Sequence, residues 1–208
     1  MNQIIPTIFA HNKKEFDERY DKLRGVSKNL QVDFMDRKFV PGKSVQLKDV
    51  PKLPKGYNFE AHLMMKGPER YIRTLKNKGF NKVIFHFDSG DNVKTIAEIR
   101  KNGMKAFMAV NPENKIKDFC YLLELVDGIL VMGVHPGKEH QKFIVGTLNK
   151  IKEIRKLTNK PIQVDGGVNL ETIVKLKKAG TSIFNSGSFV SEAENPRKAI
   201  GLLNKKIK

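Results

Sequence analysis

The chain has 208 residues, one cysteine and a formal net charge of +17. That length gives a sizeable core, the single cysteine excludes a disulfide framework or a cysteine-rich zinc site, and MNQIIPTIFAHNKK has neither the basic start of an export signal nor a run long enough to span a membrane, which points to the cytoplasm. Lysine far outnumbers arginine and is spread over the polar faces of apparent helices such as KIKEIRKLTNK and LKNKGFNK, so the charge reads as a solvated surface rather than a nucleic-acid groove.

Short runs rich in Val, Ile and Phe alternate with amphipathic stretches along the whole chain, which is the pattern of a parallel sheet. Strands are expected over 4–10 (IIPTIFA), 30–36 (LQVDFMD), 58–64 (NFEAHLM), 82–87 (KVIFHF), 105–110 (KAFMAV), 128–134 (GILVMGV), 161–167 (PIQVDGG) and 182–187 (SIFNSG). Each is followed by a helical stretch. Phe16, Tyr20 and Leu23, and Val93, Ile96 and Ile99, form helical stripes that would pack on a sheet; Gly103 and Gly180 read as helix C-caps, and Cys120 as a buried residue of a helix. No linker or composition shift divides the chain, so a single domain over residues 1–208 is expected. Eight βα units at this length predict a (β/α)8 TIM barrel. An open doubly wound sheet would need a glycine-rich phosphate turn after its first strand, where this chain has FAHNKKEF.

Strand side chains alternate between two faces, and the barrel gives the alternation a meaning. Gln31 and Asp33 share one parity in the second strand, as do Glu60, His62 and Met64 in the third, His86 and Asp88 in the fourth, and Gln163 and Asp165 in the seventh. The opposite parity is apolar and would face the helices, so the polar set faces the interior and brings two acids and two histidines together at the top of the barrel. A lone strand histidine such as His86 is ordinarily a hydrogen-bonded core residue, and Asp36 and Asp88 read as loop caps. Asp33, His62 and Asp165 demand more: a buried carboxylate costs several kcal/mol, roughly, unless compensated. Metal coordination or an acid/base pair would supply that compensation. Glycines follow Asp165 in VDGGV, and NSGS follows the eighth strand. Barrel phosphate sites form from these last two loops.

With those residues in place, the chain resembles the ribulose-phosphate 3-epimerases over nearly its full length, through IIPTIFA, VDFMDRKFVP, EAHLMMKGPERYI, VIFHFD, AVNPEN, VDGILVMGVHPGKEHQKFI, IQVDGGVNLETI and SGSF in order and spacing. The resemblance implies a barrel of the ribulose-phosphate-binding type that interconverts ribulose 5-phosphate and xylulose 5-phosphate through a cis-enediolate. It implies Asp33 and Asp165 as the acid/base pair, and one divalent ion (zinc, iron or manganese) on Asp33, His62 and Asp165. Thr7, Met35, Met64, Met132, Gly137, Gly166, Gly167, Gly187 and Ser188 would line the substrate site. The partner implied is a phosphorylated sugar, with a homo-oligomer compatible and no membrane.

The sequence also departs from that pattern. Gln31 stands where the family has the histidine that is its fourth ligand, and would offer the ion a carbonyl oxygen, a poorer ligand than imidazole; Thr7 replaces a serine, Arg37 a glycine, and GKEHQ a glycine-rich GFGGQ, where Lys138 or His140 would contribute charge. Two alternatives follow: the same chemistry on a ketohexose 6-phosphate, or a non-catalytic relative binding a phosphorylated ligand or nucleic acid. A decarboxylase of related fold is disfavoured by EAHLMMK in the third strand.

Overall fold

In a computed structural model that describes residues 2–208, eight parallel strands pair in chain order and the last closes on the first, making a (β/α)8 barrel. The strands are β1 (Gln3–Ile8), β2 (Asn29–Met35), β3 (Asn58–Met64), β4 (Lys82–His86), β5 (Lys105–Val110), β6 (Gly128–Met132), β7 (Ile162–Asp165) and β8 (Ile183–Ser186). The helices are α1 (Lys13–Arg24), α2 (Ile72–Lys78), α3 (Asn92–Lys101), α4 (Ile116–Phe119), α5 (Thr147–Leu157), α6 (Thr172–Ala179), α7 (Ser188–Ser191) and α8 (Pro196–Ile207).

The apolar parity builds the outer layer. Val32, Phe34, Phe59, Ala61, Leu63, Val83, Phe85, Ile162 and Val164 pack outward in one core with Phe16 and Leu23 of α1, Ile99 of α3, Ile151 and Ile154 of α5, and Leu176 of α6. Each large side chain so buried contributes about 1.5–3 kcal/mol. Inside the barrel, Ile5, Ile84, Phe107, Leu130, Met132 and Ile183 form a second cluster, and Phe9, Met35, Val40 and Met64 a third.

Helix starts carry side-chain caps: Asn12 accepts from the Glu15 N–H, Asp91 from Lys94 and Asn195 from Lys198. Gly79 and Gly180 end α2 and α6 in the left-handed region, where a side chain would be strained.

Several expectations are corrected. No α-helix joins β2 to β3; the connection has only a short 3-10 turn at Leu47–Asp49. Pro41, Pro51 and Pro54 interrupt any helical ladder there, and buried Val45, Val50 and Leu53 cover the sheet instead. Cys120 is exposed, because Phe119, Leu122 and Leu123 occupy the inward side of that segment. Val93 is 57% exposed, and Thr95 joins Ile96 and Ile99 on the buried face of α3. The ends of β1, β2, β4, β6, β7 and β8 also differ from the expected spans, because the flanking residues belong to the turns at either end of the barrel. No described helix is long and apolar enough to cross a membrane.

Candidate active site

Register decides which side chains meet. Parallel pairing sets Gln31 beside Glu60, Asp33 beside His62 and Met35 beside Met64 across β2 and β3. On the far side it sets Met132 beside Asp165, and Asp165 beside Asn185. Barrel closure then brings Asp33 and Asp165, from strands separated by β8 and β1, onto the same two donors. Gln31 Nε2 donates to Asp33 Oδ1 at 2.8 Å and to Asp165 Oδ2 at 2.6 Å. His62 Nδ1 lies 3.1 Å from Asp33 Oδ1 and 3.3 Å from Asp165 Oδ2. Gln31, Asp33, His62, His86 and Asp165 are all buried.

The charges in this cluster are set by one another. Burial pushes the Asp33 carboxyl up to about 6, with the Asp165 charge adding to the rise and hydrogen bonds from His62 and Gln31 opposing it. For His62 burial disfavours the cation, but hydrogen bonds to both carboxylates and their charge outweigh it and raise the imidazole to about 10. His62 is thus an imidazolium between two acids. Its Nε2 lies 2.9 Å from His86 Nε2. Burial, aided by the His62 charge, holds His86 well below the usual histidine range, so His86 is neutral and accepts the His62 Nε2 proton.

The donor set fits a divalent ion on three sides. Asp33, His62 and Asp165 each offer an atom within 4.8 Å of the others. Donors on a tetrahedral ion with bonds of about 2.0–2.2 Å stand about 3.3–3.6 Å apart, near the 3.1 and 3.3 Å separations from His62 Nδ1. With Nε2–H given to His86, a neutral His62 would present its Nδ1 lone pair to that ion, the usual outer support of a metal-binding imidazole. The remaining side is closed by the Gln31 amide nitrogen, while its oxygen accepts from Asn185.

Above the cluster opens a cavity of about 400 Å³ whose lining includes Thr7, Phe9, Asp33, His62, Met64, Met132, Asp165 and Val168. Gly137, Gly166, Gly167, Gly187 and Ser188 also line it. Of the expected metal and substrate positions, Gln31 and Met35 do not line it: Gln31 lies beneath the carboxylates, and Met35 packs with Phe9, Val40 and Met64. The Thr7 hydroxyl is buried with no partner among the described residues. Gly166 and Gly167 take φ of +94° and +69°, and a Cβ at Gly166 would come within 2.4 Å of Val134, so the turn after β7 requires glycine twice.

Sequence reasoning missed part of this mouth. Glu139 lines the cavity 3.7 Å from where a Gly187 Cβ would stand, and Arg19 of α1 donates to both of its oxygens at 3.0 and 3.1 Å. Glu192 joins them, 3.5 Å from Arg19 and 3.3 Å from His140. Nothing in the local pattern of α1 marks Arg19, an ordinary polar-face residue until the loop after β6 folds over it. Lys82 and Asn185 were also missed, although Asn185 stands at an inward parity of β8, which is a readable signal.

Comparison with known proteins places the chain. A family model described as the ribulose-phosphate 3 epimerase family matches residues 3–191. The ribulose-phosphate 3-epimerase of Bacillus subtilis is 31% identical over 214 aligned positions, covering 96% of this chain and 97% of that protein. The Mycobacterium tuberculosis enzyme of the same name is 31% identical, covering 97% of this chain and 91% of that one. Among solved structures, 3-keto-L-gulonate-6-phosphate decarboxylase from Vibrio cholerae matches with a TM-score of 0.77 at 13% identity, covering 100% of this chain and 98% of that one. The 3-hexulose-6-phosphate synthase from Salmonella typhimurium gives 0.74 at 14% identity, with the same coverage. At such identities the likeness is one of fold.

Proposed function

The chain belongs to the ribulose-phosphate 3-epimerase family, and from that premise we propose that it is an isomerase interconverting D-ribulose 5-phosphate and D-xylulose 5-phosphate by two-base proton transfer at C3. The observation that carries this reading is the pair of buried carboxylates, Asp33 and Asp165, held at the floor of one cavity by shared donors.

One carboxylate removes the C3 proton, which the neighbouring C2 carbonyl acidifies, and a cis-enediolate forms. The other carboxylate returns a proton to the opposite face of C3 and inverts it. An Asp33 carboxyl raised toward neutrality suits this exchange, because the same group must be able to hold and release a proton near the working pH. Negative charge on the enediolate oxygens requires a positive centre that does not need to reorganise. The Thr7 hydroxyl, which has no partner among the described residues, lines the cavity and can donate to one of those oxygens, while His62, its nitrogens taken by the two carboxylates and His86, acts through its charge from beneath. A divalent ion held by Asp33, His62 and Asp165 would polarise the C2 carbonyl as a Lewis acid. Met64, Met132 and Phe9 give an apolar wall that excludes water from the intermediate. The turns at Gly166, Gly167, Gly187 and Ser188 offer backbone N–H donors for the phosphate, with the Gly137 loop above them.

Purified protein incubated with ribulose 5-phosphate and followed by ¹³C NMR tests the reading, with zinc, manganese or iron(II) added in separate samples. Xylulose 5-phosphate should accumulate to equilibrium, and a ketohexose 6-phosphate should convert more slowly. No conversion of the pentulose with any ion would contradict the proposal, and faster conversion of the hexulose would move it to the longer sugar.

A further inference from the structure

The polar core beneath the two carboxylates has a direction. It begins at Lys82, at the start of β4, whose ammonium can only donate. Lys82 Nζ donates to Glu60 Oε2 at 2.6 Å and to Gln163 Oε1 at 3.3 Å. Having accepted at its oxygen, Gln163 donates through Nε2 to Glu60 Oε1 and, at 2.6 Å, to Asn185 Oδ1. Asn185 in turn donates through Nδ2 to Glu60 Oε1 at 2.8 Å and to Gln31 Oε1 at 2.7 Å. Gln31 is left with its amide nitrogen, which donates to Asp33 and Asp165. Gln31, Gln163 and Asn185 are fully buried and Glu60 is 2% exposed, so no solvent offers an alternative partner.

An amide's orientation is ordinarily assigned from its neighbours, and here the neighbours leave one choice. The series starts at the Lys82 ammonium, which cannot accept, and each later amide is fixed by the contact before it. Turning any one of the three amides over sets N–H against N–H or oxygen against oxygen, in a region where no water is at hand to meet the groups left unpaired.

We propose that Gln31 is a positioning residue rather than a metal ligand: its amide N–H₂ clamps Asp33 to Asp165, and the Lys82–Glu60–Gln163–Asn185 network locks that orientation, so the site offers a divalent cation three protein donors and no more. An amide nitrogen has its lone pair delocalised and does not bind such an ion, while the Gln31 oxygen, the only ligand atom it has, is turned away and taken by Asn185. The clamp also does without an ion what an ion would otherwise do, holding two carboxyl groups together in a buried site. This inference rests on the proposed function only for its consequence in turnover; the clamp itself is read from metal binding and melting.

The test compares metal-free wild-type protein with Gln31→Met, which keeps the length of the side chain and removes both its donor and its oxygen. Zinc affinity is measured by competition with a chromogenic chelator, and the melting temperature without metal. We expect the metal-free variant to melt several degrees lower while its zinc affinity stays within threefold of wild type or rises. A tenfold or greater loss of zinc affinity would make Gln31 a ligand and overturn the proposal, as would an unchanged melting temperature. If neither protein takes up zinc, the melting comparison decides. Should the variant not fold, a crystal structure of zinc-soaked wild type decides: Gln31 should still touch both carboxylates, and a Gln31 oxygen within bonding distance of the ion would overturn the proposal. A protein that meets these expectations yet converts no ketose phosphate keeps the clamp and loses the proposed function.

Discussion

Asp33 and Asp165 share both of their buried donors but not their surroundings. Asp33 lies beside His62 on β3 in register, whereas Asp165 opens the double-glycine turn of β7. Replacing either with asparagine keeps the shape and an acceptor oxygen while removing the base. Either change should lower kcat by about 10²–10⁴-fold with little change in fold, checked by steady-state kinetics and circular dichroism. A second expectation concerns the mouth. The Glu139 carboxylate beside Gly187 would oppose an arriving phosphate, and its pairing with Arg19 only partly cancels that. Glu139→Gln should lower KM for a sugar phosphate about two- to fivefold with kcat unchanged. Arg19→Ala, which leaves Glu139 unpaired, should raise KM. At this scale the inward parity was readable from alternation alone: Gln31, Asp33, Glu60, His62, His86, Gln163 and Asp165 are all buried inside the barrel. The direction of the amides was not, because it depends on Lys82, four strands from the β8 residue it orients through Gln163.

The connection between β2 and β3 makes the case at the scale of elements. Periodicity suggested a helix after every strand, and here three prolines removed it while Val45, Val50 and Leu53 kept the apolar cover. Asp36 ties this irregular segment to the next loop by accepting from the N–H groups of Lys38, Phe39 and Lys66. Burial opposes its charge, but these three bonds outweigh burial and hold the carboxyl below its ordinary value. Asp36→Ala should cost about 1–2 kcal/mol at neutral pH by urea denaturation. Since the folded value is the lower one, the contribution of Asp36 is present above the ordinary carboxyl pKa and is lost as pH falls through the lowered one. The difference between wild type and variant should therefore shrink in acid. A difference that grew as pH fell would contradict the capping role. The sequence had marked Asp36 as a cap; its third partner, Lys66, lies beyond β3 and was out of reach of local reasoning.

At the scale of the molecule, eight βα units in 208 residues were enough to read the barrel, and its closure turns scattered strand ends into one cavity. The same closure explains what could not be read: α1 and the loop after β6 meet only in three dimensions, so the Arg19–Glu139 pair leaves no local trace. If the proposed ketose phosphate is the substrate, the net charge of +17 would act at this scale too, as a field drawing that anion toward the surface. Between about 20 and 300 mM salt, kcat/KM should fall several-fold while kcat holds, because the Debye length shortens from about 20 Å to about 6 Å. A salt-independent kcat/KM would confine the charge to solubility.

The proposed chemistry itself is tested most directly by the fate of the hydrogen at C3. Ribulose 5-phosphate with ordinary hydrogen at C3 is incubated with the protein in deuterated water, and the reaction is stopped early for NMR and mass analysis. Two carboxylates acting on opposite faces predict xylulose 5-phosphate carrying solvent deuterium at C3 while the unreacted ribulose 5-phosphate keeps its hydrogen. Product that retains the substrate's own C3 hydrogen would contradict transfer by two bases.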